Sequence, residues 1–70
     1  MTTVFTKYLI AQGWHEADPM RYRKEPLDLE IFFDTSNQIE IYNNHGRLKV
    51  FYLHDLADLI NALKEVTPVA

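Results

Sequence analysis

No cysteine occurs in this chain of 70 residues, so no disulfide can staple the fold and no thiolate can bind zinc. The absence fits a reducing compartment, and a cytoplasmic location is the expectation. Glycine is nearly as scarce. Gly13 and Gly46 stand alone and far apart, which excludes a glycine-rich loop that cradles phosphate. Ser36 is the only serine, and it falls in a predicted hairpin loop, so an activated serine nucleophile has no seat. No apolar run approaches the roughly 18 residues of a membrane span, and Met1–Lys7 lacks the basic-then-apolar order of a secretory leader. Neither sign of charge dominates. The net charge of −3 suits solubility and speaks against generic binding to polyanions.

What the chain does have is hydrophobic content of 47%, with 13% aromatics, enough for one folded domain near the lower size limit for an independent core. A chain so small gains from a second surface, so a homodimer or a larger partner is expected. Between Leu27 and Leu53 apolar and polar residues alternate in three runs, Leu27–Phe33, Gln38–Tyr42 and Arg47–Leu53. A period of two means a sheet with one face buried and the other wet. Met20–Lys24 adds a short fourth strand, expected at the edge, with Tyr22 inward and the basic Arg21 and Arg23 outward to discourage strand addition.

Pairing can be reasoned from side-chain faces, because directly opposed residues in an antiparallel pair share a face. A five-residue loop, Asp34–Gln38, sets Ile31 opposite Ile41 and Phe32 opposite Glu40. A three-residue loop would oppose Glu30 and Glu40, two like charges, and is disfavoured. For the next hairpin a four-residue loop, Asn43–Gly46, sets Glu40 opposite Lys49 and turns Leu48 and Val50 inward.

Helical patterns flank the strands. Thr2 or Thr3 can cap a first helix whose apolar stripe is Val4, Phe5, Tyr8, Leu9 and Ala11, ended by Gly13. Trp14 is expected to fold back onto the core, and Asp18-Pro19 to form a turn. Asp55 caps a second helix with Leu56, Leu59, Ile60 and Leu63 on one stripe, ended by Pro68. The expected fold is α+β: helix, a three- or four-stranded antiparallel meander, helix, with both helices on one sheet face. The expected core is Phe5, Leu9, Trp14, Tyr22, Leu29, Ile31, Ile39, Ile41, Leu48, Val50, Leu56, Leu59, Ile60 and Leu63.

Chemistry-bearing residues are few. His15-Glu16-Ala17-Asp18 holds three potential metal ligands, but as a loop without a spaced second histidine it reads as solvated surface. His54-Asp55 has the order of a base and its orienter, yet helix capping accounts for Asp55. His45 is a turn residue. The carboxylates Asp28, Glu30 and Glu40 fall on the wet face without a pocket. The chain is therefore read as non-enzymatic, with no metal and no cofactor.

The wet face is expected to carry Phe32, Tyr42 and Phe51 among Glu30, Glu40, Arg47 and Lys49, with Leu53 at its margin. A cluster of aromatics and arginine is the composition of protein interfaces. Phe32, Glu40, Tyr42, Arg47, Lys49 and Phe51 are thus the candidate partner-binding residues. The alternative is nucleic-acid binding through the basic strand, Arg21, Arg23 and Lys24, extended by Arg47 and Lys49.

Helix, three-stranded antiparallel sheet and helix in this order resembles the double-stranded RNA-binding domain fold. That family grips RNA with a lysine-rich start to its second helix, of the Lys-Lys-x-Ala-Lys kind. This chain has His54-Asp-Leu-Ala-Asp58 there, which repels phosphate, so the RNA-binding function is not implied. Gly13-Trp14, Glu40-Ile-Tyr-Asn43 and the helix begun by Asp55 give a looser likeness. The chain resembles small accessory proteins of phages and mobile elements, anti-CRISPR and other anti-defence inhibitors among them. That resemblance implies a protein that occludes a surface of a host defence complex.

Since no spaced set of ligands exists, adding EDTA or zinc is expected to leave the thermal unfolding midpoint unchanged. Differential scanning fluorimetry with each additive, alongside metal analysis of the purified protein, checks this.

Overall fold

The computed structural model describes residues 3–67; Thr2 and Pro68, offered above as a helix cap and a helix stop, lie outside them. The chain runs as helix α1 (Val4–Ala11), strands β1 (His15–Asp18) and β2 (Arg21–Lys24), a single 3₁₀ turn (Glu25–Leu27), strands β3 (Leu29–Thr35), β4 (Gln38–Asn43) and β5 (Gly46–Tyr52), and helix α2 (Leu56–Val66). The five strands form one antiparallel sheet in sequence order. The α+β meander between two helices is therefore present, with one more strand than expected.

Both ends of α1 are fixed by local hydrogen bonds. Thr3 and Thr6 bond reciprocally to each other's backbone N–H across the first turn, which satisfies two donors that a helix start otherwise leaves orphaned. At the other end Gly13 takes a φ of 96°. The N–H of Trp14 then reaches the carbonyl of Leu9 and that of Gly13 the carbonyl of Ile10, the paired bonds of a Schellman motif. This closure swings Trp14 under the helix, where it is buried. Asp55 caps α2 by accepting from the N–H of Asp58, and the Asp58 carboxylate accepts in turn from the N–H of His54.

The first strand corrects the sequence reading. His15–Asp18 is the edge strand, not a loop, and β2 is internal, paired to β1 on one side and β3 on the other. The turn between them has Pro19 at its second position and Met20 at a φ of 70°, the combination of a type II turn. All four β1 residues are exposed. The strand carries no large apolar residue, which is why periodicity could not reveal it.

The hairpin of β3 and β4 has the expected register, Ile31 opposite Ile41 and Phe32 opposite Glu40. Its turn is shorter, Ser36-Asn37, with the surplus residue taken up as a bulge at Asp34. The hairpin of β4 and β5 departs from expectation. Asn43 pairs with Gly46 and Tyr42 with Arg47, but Leu48 is then skipped and Ile41 pairs with Lys49. A bulge of one residue inverts every side chain beyond it. Val50 and Tyr52 therefore share the face of Glu40 and Gln38, while Lys49 and Phe51 share that of Ile41 and Ile39.

The core is accordingly different at this end. Leu48 is 44% exposed and Val50 lies half-buried on the outer face, whereas Leu53, expected at the wet margin, is 1% exposed. The inversion exchanges inward Leu48 and Val50 for inward Phe51 and Leu53, a larger apolar area. It also lets Lys49 reach Glu65 on α2. The buried set is otherwise close to expectation: Phe5, Leu9, Trp14, Tyr22, Leu29, Ile31, Ile39, Ile41 and Leu59, joined by Phe33 and Ala62. On α2, Leu56 and Leu63 pack at the rim. The helix turns Ala62 fully inward, and Ile60 is left half-exposed. Both helices press on the face that carries these residues, and the opposite face is uncovered.

Leu53→Ala is expected to destabilise the fold by about 2–5 kcal/mol, as is Ile41→Ala, whereas Leu48→Ala should cost less than about 1 kcal/mol. Urea unfolding of the three variants checks the inverted register, which a reversed order of Leu53 and Leu48 would overturn.

Candidate functional site

The uncovered face is built by the outward residues of all five strands in two cross-sheet rows, which begin at His15 and Asp18 on β1. One row continues through Arg23, Glu30, Tyr42, Arg47; the other continues through Arg21, Phe32, Glu40, Val50. Tyr52 and Gln38 lie beyond the second row. On β2, β3 and β4 these residues are outward because their sequence neighbours, Tyr22, Ile31 and Ile41 among them, are inward; on β5 the bulge at Leu48 sets Arg47, Val50 and Tyr52 on the same side.

Charge alternates across the rows, so each arginine finds a carboxylate. Arg21 Nη1 lies 3.1 Å from Glu30 Oε2, and Arg23 Nη1 lies 3.6 Å from Glu30 Oε1. Arg47 Nη1 donates to Glu40 Oε1 at 3.2 Å, and the Tyr42 hydroxyl donates to the same oxygen at 2.8 Å. The guanidinium of Arg21 also sits 4.7 Å above the centre of the Phe32 ring, in cation–π range. These contacts hold long side chains in fixed positions over the sheet. Individually such surface ion pairs contribute little, roughly 0–1 kcal/mol each. Their effect is on order rather than on stability.

Glu40 is the hinge of this network. The hydrogen bond from Tyr42 and then that from Arg47 lower its pKa below the usual carboxylate range. The same bond to Glu40 raises the pKa of the Tyr42 hydroxyl, with burial second. On the covered side, burial raises the Tyr22 hydroxyl, aided by the charge of Glu16, to which it donates at 3.3 Å.

Of the expected partner-binding residues, Phe32, Glu40, Tyr42 and Arg47 are brought together here, with Arg21 and Arg23. Lys49 and Phe51 are not: the bulge at Leu48 places both on the helix-covered side, where Lys49 binds Glu65 and Phe51 packs against the core. Lys24 is also on that side, opposite Leu29, its ammonium bonded to the carbonyl of Gln12 at 2.6 Å. The face gains Val50 and Tyr52, which the expected register had hidden. Tyr52 is 66% exposed. The signal for them was in the sequence, since Phe51 and Leu53 compete with Leu48 and Val50 for the inward parity.

Of the other candidates, His15 and Asp18 border this face opposite Arg23 and Arg21, and the rest lie apart. Within β1, His15 and Glu16 point to opposite faces by strand alternation, and among the described residues no group of three metal-ligating side chains converges. Asp28 lies outside the strands, at a φ of 52° after the 3₁₀ turn. His45 sits in the β4–β5 turn, its N–H held by the Asn43 side chain. Comparison with protein families, with curated proteins and with solved structures found no match for this chain.

The shared oxygen of Glu40 gives a pH signature. A lowered carboxylate pKa stabilises the fold above the usual carboxylate range, and that contribution disappears as pH falls through the folded value. A raised tyrosine pKa stabilises it below the usual tyrosine range, and that contribution disappears as pH rises toward the folded value. Tyr42→Phe should therefore raise the Glu40 pKa in a carboxyl NMR titration. The stability difference between parent and variant should be largest near neutrality and shrink toward both extremes.

Proposed function

We propose that this chain is a non-enzymatic protein-binding module that docks through the open face of its sheet. One observation carries the reading. All three arginines of the chain, with Phe32, Tyr42, Val50 and Tyr52, gather on the one sheet face that neither helix covers. Arginine and aromatic residues are the types enriched in interface centres, where they contribute large area and polar tips at low entropic cost. Here the carboxylates of Glu30 and Glu40 hold the arginines in place before binding, which reduces the ordering cost of association.

The charge of the face indicates what it meets. With β1 included, the five strands place three arginines against three carboxylates, Asp18, Glu30 and Glu40, so the face is balanced in a chain of net charge −3. A partner surface with an apolar centre ringed by polar groups of both signs is complementary. The resemblance to phage and mobile-element accessory proteins supplies a class of partner, a host defence complex in the cytoplasm, with inhibition by occlusion. Nucleic-acid binding is weaker on this geometry. Lys24 and Lys49 face away, and each remaining arginine already has a carboxylate partner.

A photo-crosslinking residue at Tyr52, with another at Ile10 on the exposed side of α1 as control, would identify the partner in cells. With that partner purified, Phe32→Ala and Tyr42→Ala are expected to weaken binding by about 1–3 kcal/mol each while folding survives. Arg47→Glu should mainly slow association and alter its salt dependence. Phe51→Ala should lower stability and leave the affinity of the folded protein unchanged. Normal binding by both the Phe32 and Tyr42 variants would overturn the reading. A steep loss of affinity for DNA or RNA with salt would instead favour the nucleic-acid alternative.

A further inference from the structure

On the opposite side of the molecule a second concavity opens between the carboxyl ends of α1 and α2 and the 3₁₀ turn, with a volume of about 410 Å³. Tyr8, Trp14, Leu27, Ile60 and Leu63 form its apolar wall, Gln12 and Thr67 add polar groups, and Lys24 and Lys64 are its two cationic residues. No carboxylate is among the lining residues. Elsewhere Arg21 and Arg23 pair with Glu30, Arg47 with Glu40 and Lys49 with Glu65, while Lys7 stands alone on the exposed side of α1. Among the described residues Lys24 and Lys64 pair with no carboxylate, and both line this one groove.

Lys24 is also pre-positioned. Its strand register directs it to the helix-covered side opposite Leu29. Its stem runs close over Gly13, and its ammonium is fixed on the Gln12 carbonyl, leaving two further N–H donors. The two helix ends that meet here each present roughly half a negative charge. Together they offset about one of the two ammonium charges, so the groove retains a surplus of about one positive charge. That balance suits a monoanion better than a dianion or a neutral molecule. The half-exposed Ile60, which the packing of α2 leaves out of the core, provides apolar wall to a ligand.

From this geometry we infer that the groove is a binding site for a small amphiphilic monocarboxylate, an acid with its carboxylate between Lys24 and Lys64 and its apolar body against Trp14, Leu27 and Ile60. The site is separate from the open sheet face and does not depend on the function proposed for that face.

Trp14 is the only tryptophan of the chain, so its fluorescence reports occupancy directly. Sodium octanoate, octanol and octylammonium chloride are titrated against the whole protein below their aggregation limits. Octanoate is expected to shift Trp14 emission saturably at one equivalent, with octanol about tenfold weaker and octylammonium weaker still. The Lys24→Gln/Lys64→Gln double variant should keep its unfolding midpoint, lose about tenfold in octanoate affinity and bind octanol as the parent does. Lys64→Gln alone, at an exposed position, gives the same comparison with a smaller loss if the double variant folds poorly. No saturable response to octanoate, equal binding of octanol by the parent, or undiminished octanoate affinity in the lysine variants would each overturn the assignment.

Discussion

The pairing of Ile31 with Ile41 at the centre of the sheet is the constraint from which the remaining geometry follows. Both side chains are fully buried and lie directly opposite each other on strands β3 and β4. With a side-chain period of two, that single pair decides the face of every residue on both strands, and through β2 it turns Tyr22 inward and Arg21 and Arg23 outward. A face so apolar has to be covered, and α1 and α2 cover it with Phe5, Leu9 and Leu59. The opposite face keeps its arginines, glutamates and aromatics because the same alternation leaves them there. The open surface and the core are two readings of one register.

How much of this could be seen in the sequence depended on whether apolar residues occupied one parity or two. In β3 and β4 the large aliphatic residues alternate cleanly, and the like-charge clash of Glu30 with Glu40 removed the rival register. The helix ends were also legible, since Thr3, Gly13 and Asp55 act through local hydrogen bonds that need no tertiary partner. In β5 the run Leu48-Lys-Val-Phe-Tyr-Leu53 offers apolar side chains at both parities, and periodicity cannot choose between them. The choice is made by the helices: Phe51 and Leu53 fill the space beneath them better than Leu48 and Val50, and Glu65 waits for Lys49. Strand β1 was hidden for the opposite reason. It buries nothing, so its only signature is backbone pairing to β2, to which composition is blind.

The open face illustrates how a chain of mild net charge can still build a patterned surface. Arginine and glutamate alternate across strands rather than along them, so the sequence shows isolated charges while the sheet shows a lattice. Glu40 accepts from two donors, Tyr42 and Arg47, and Glu30 faces two guanidinium groups. Each carboxylate is therefore drawn into the sheet and each arginine is left near the surface, half-satisfied and held in position. Any molecule meeting the centre of this face encounters fixed guanidinium edges and aromatic rings, with the carboxylates of Glu30 and Glu40 recessed behind them.

Strand order along the sheet is identical to strand order along the chain, and this bears on how the molecule comes together. Every ladder joins sequence neighbours through a short connection, so the sheet can grow hairpin by hairpin with little loop-closure entropy at each step. The distant encounters among the described residues are those of the two helices, which flank the strands in sequence and close over the same aliphatic surface. That surface, Ile31, Ile39 and Ile41 at its centre, is sealed only when both helices lie on it. Helix α2 thus serves as the latch of the fold, since the sheet stays unsealed without it.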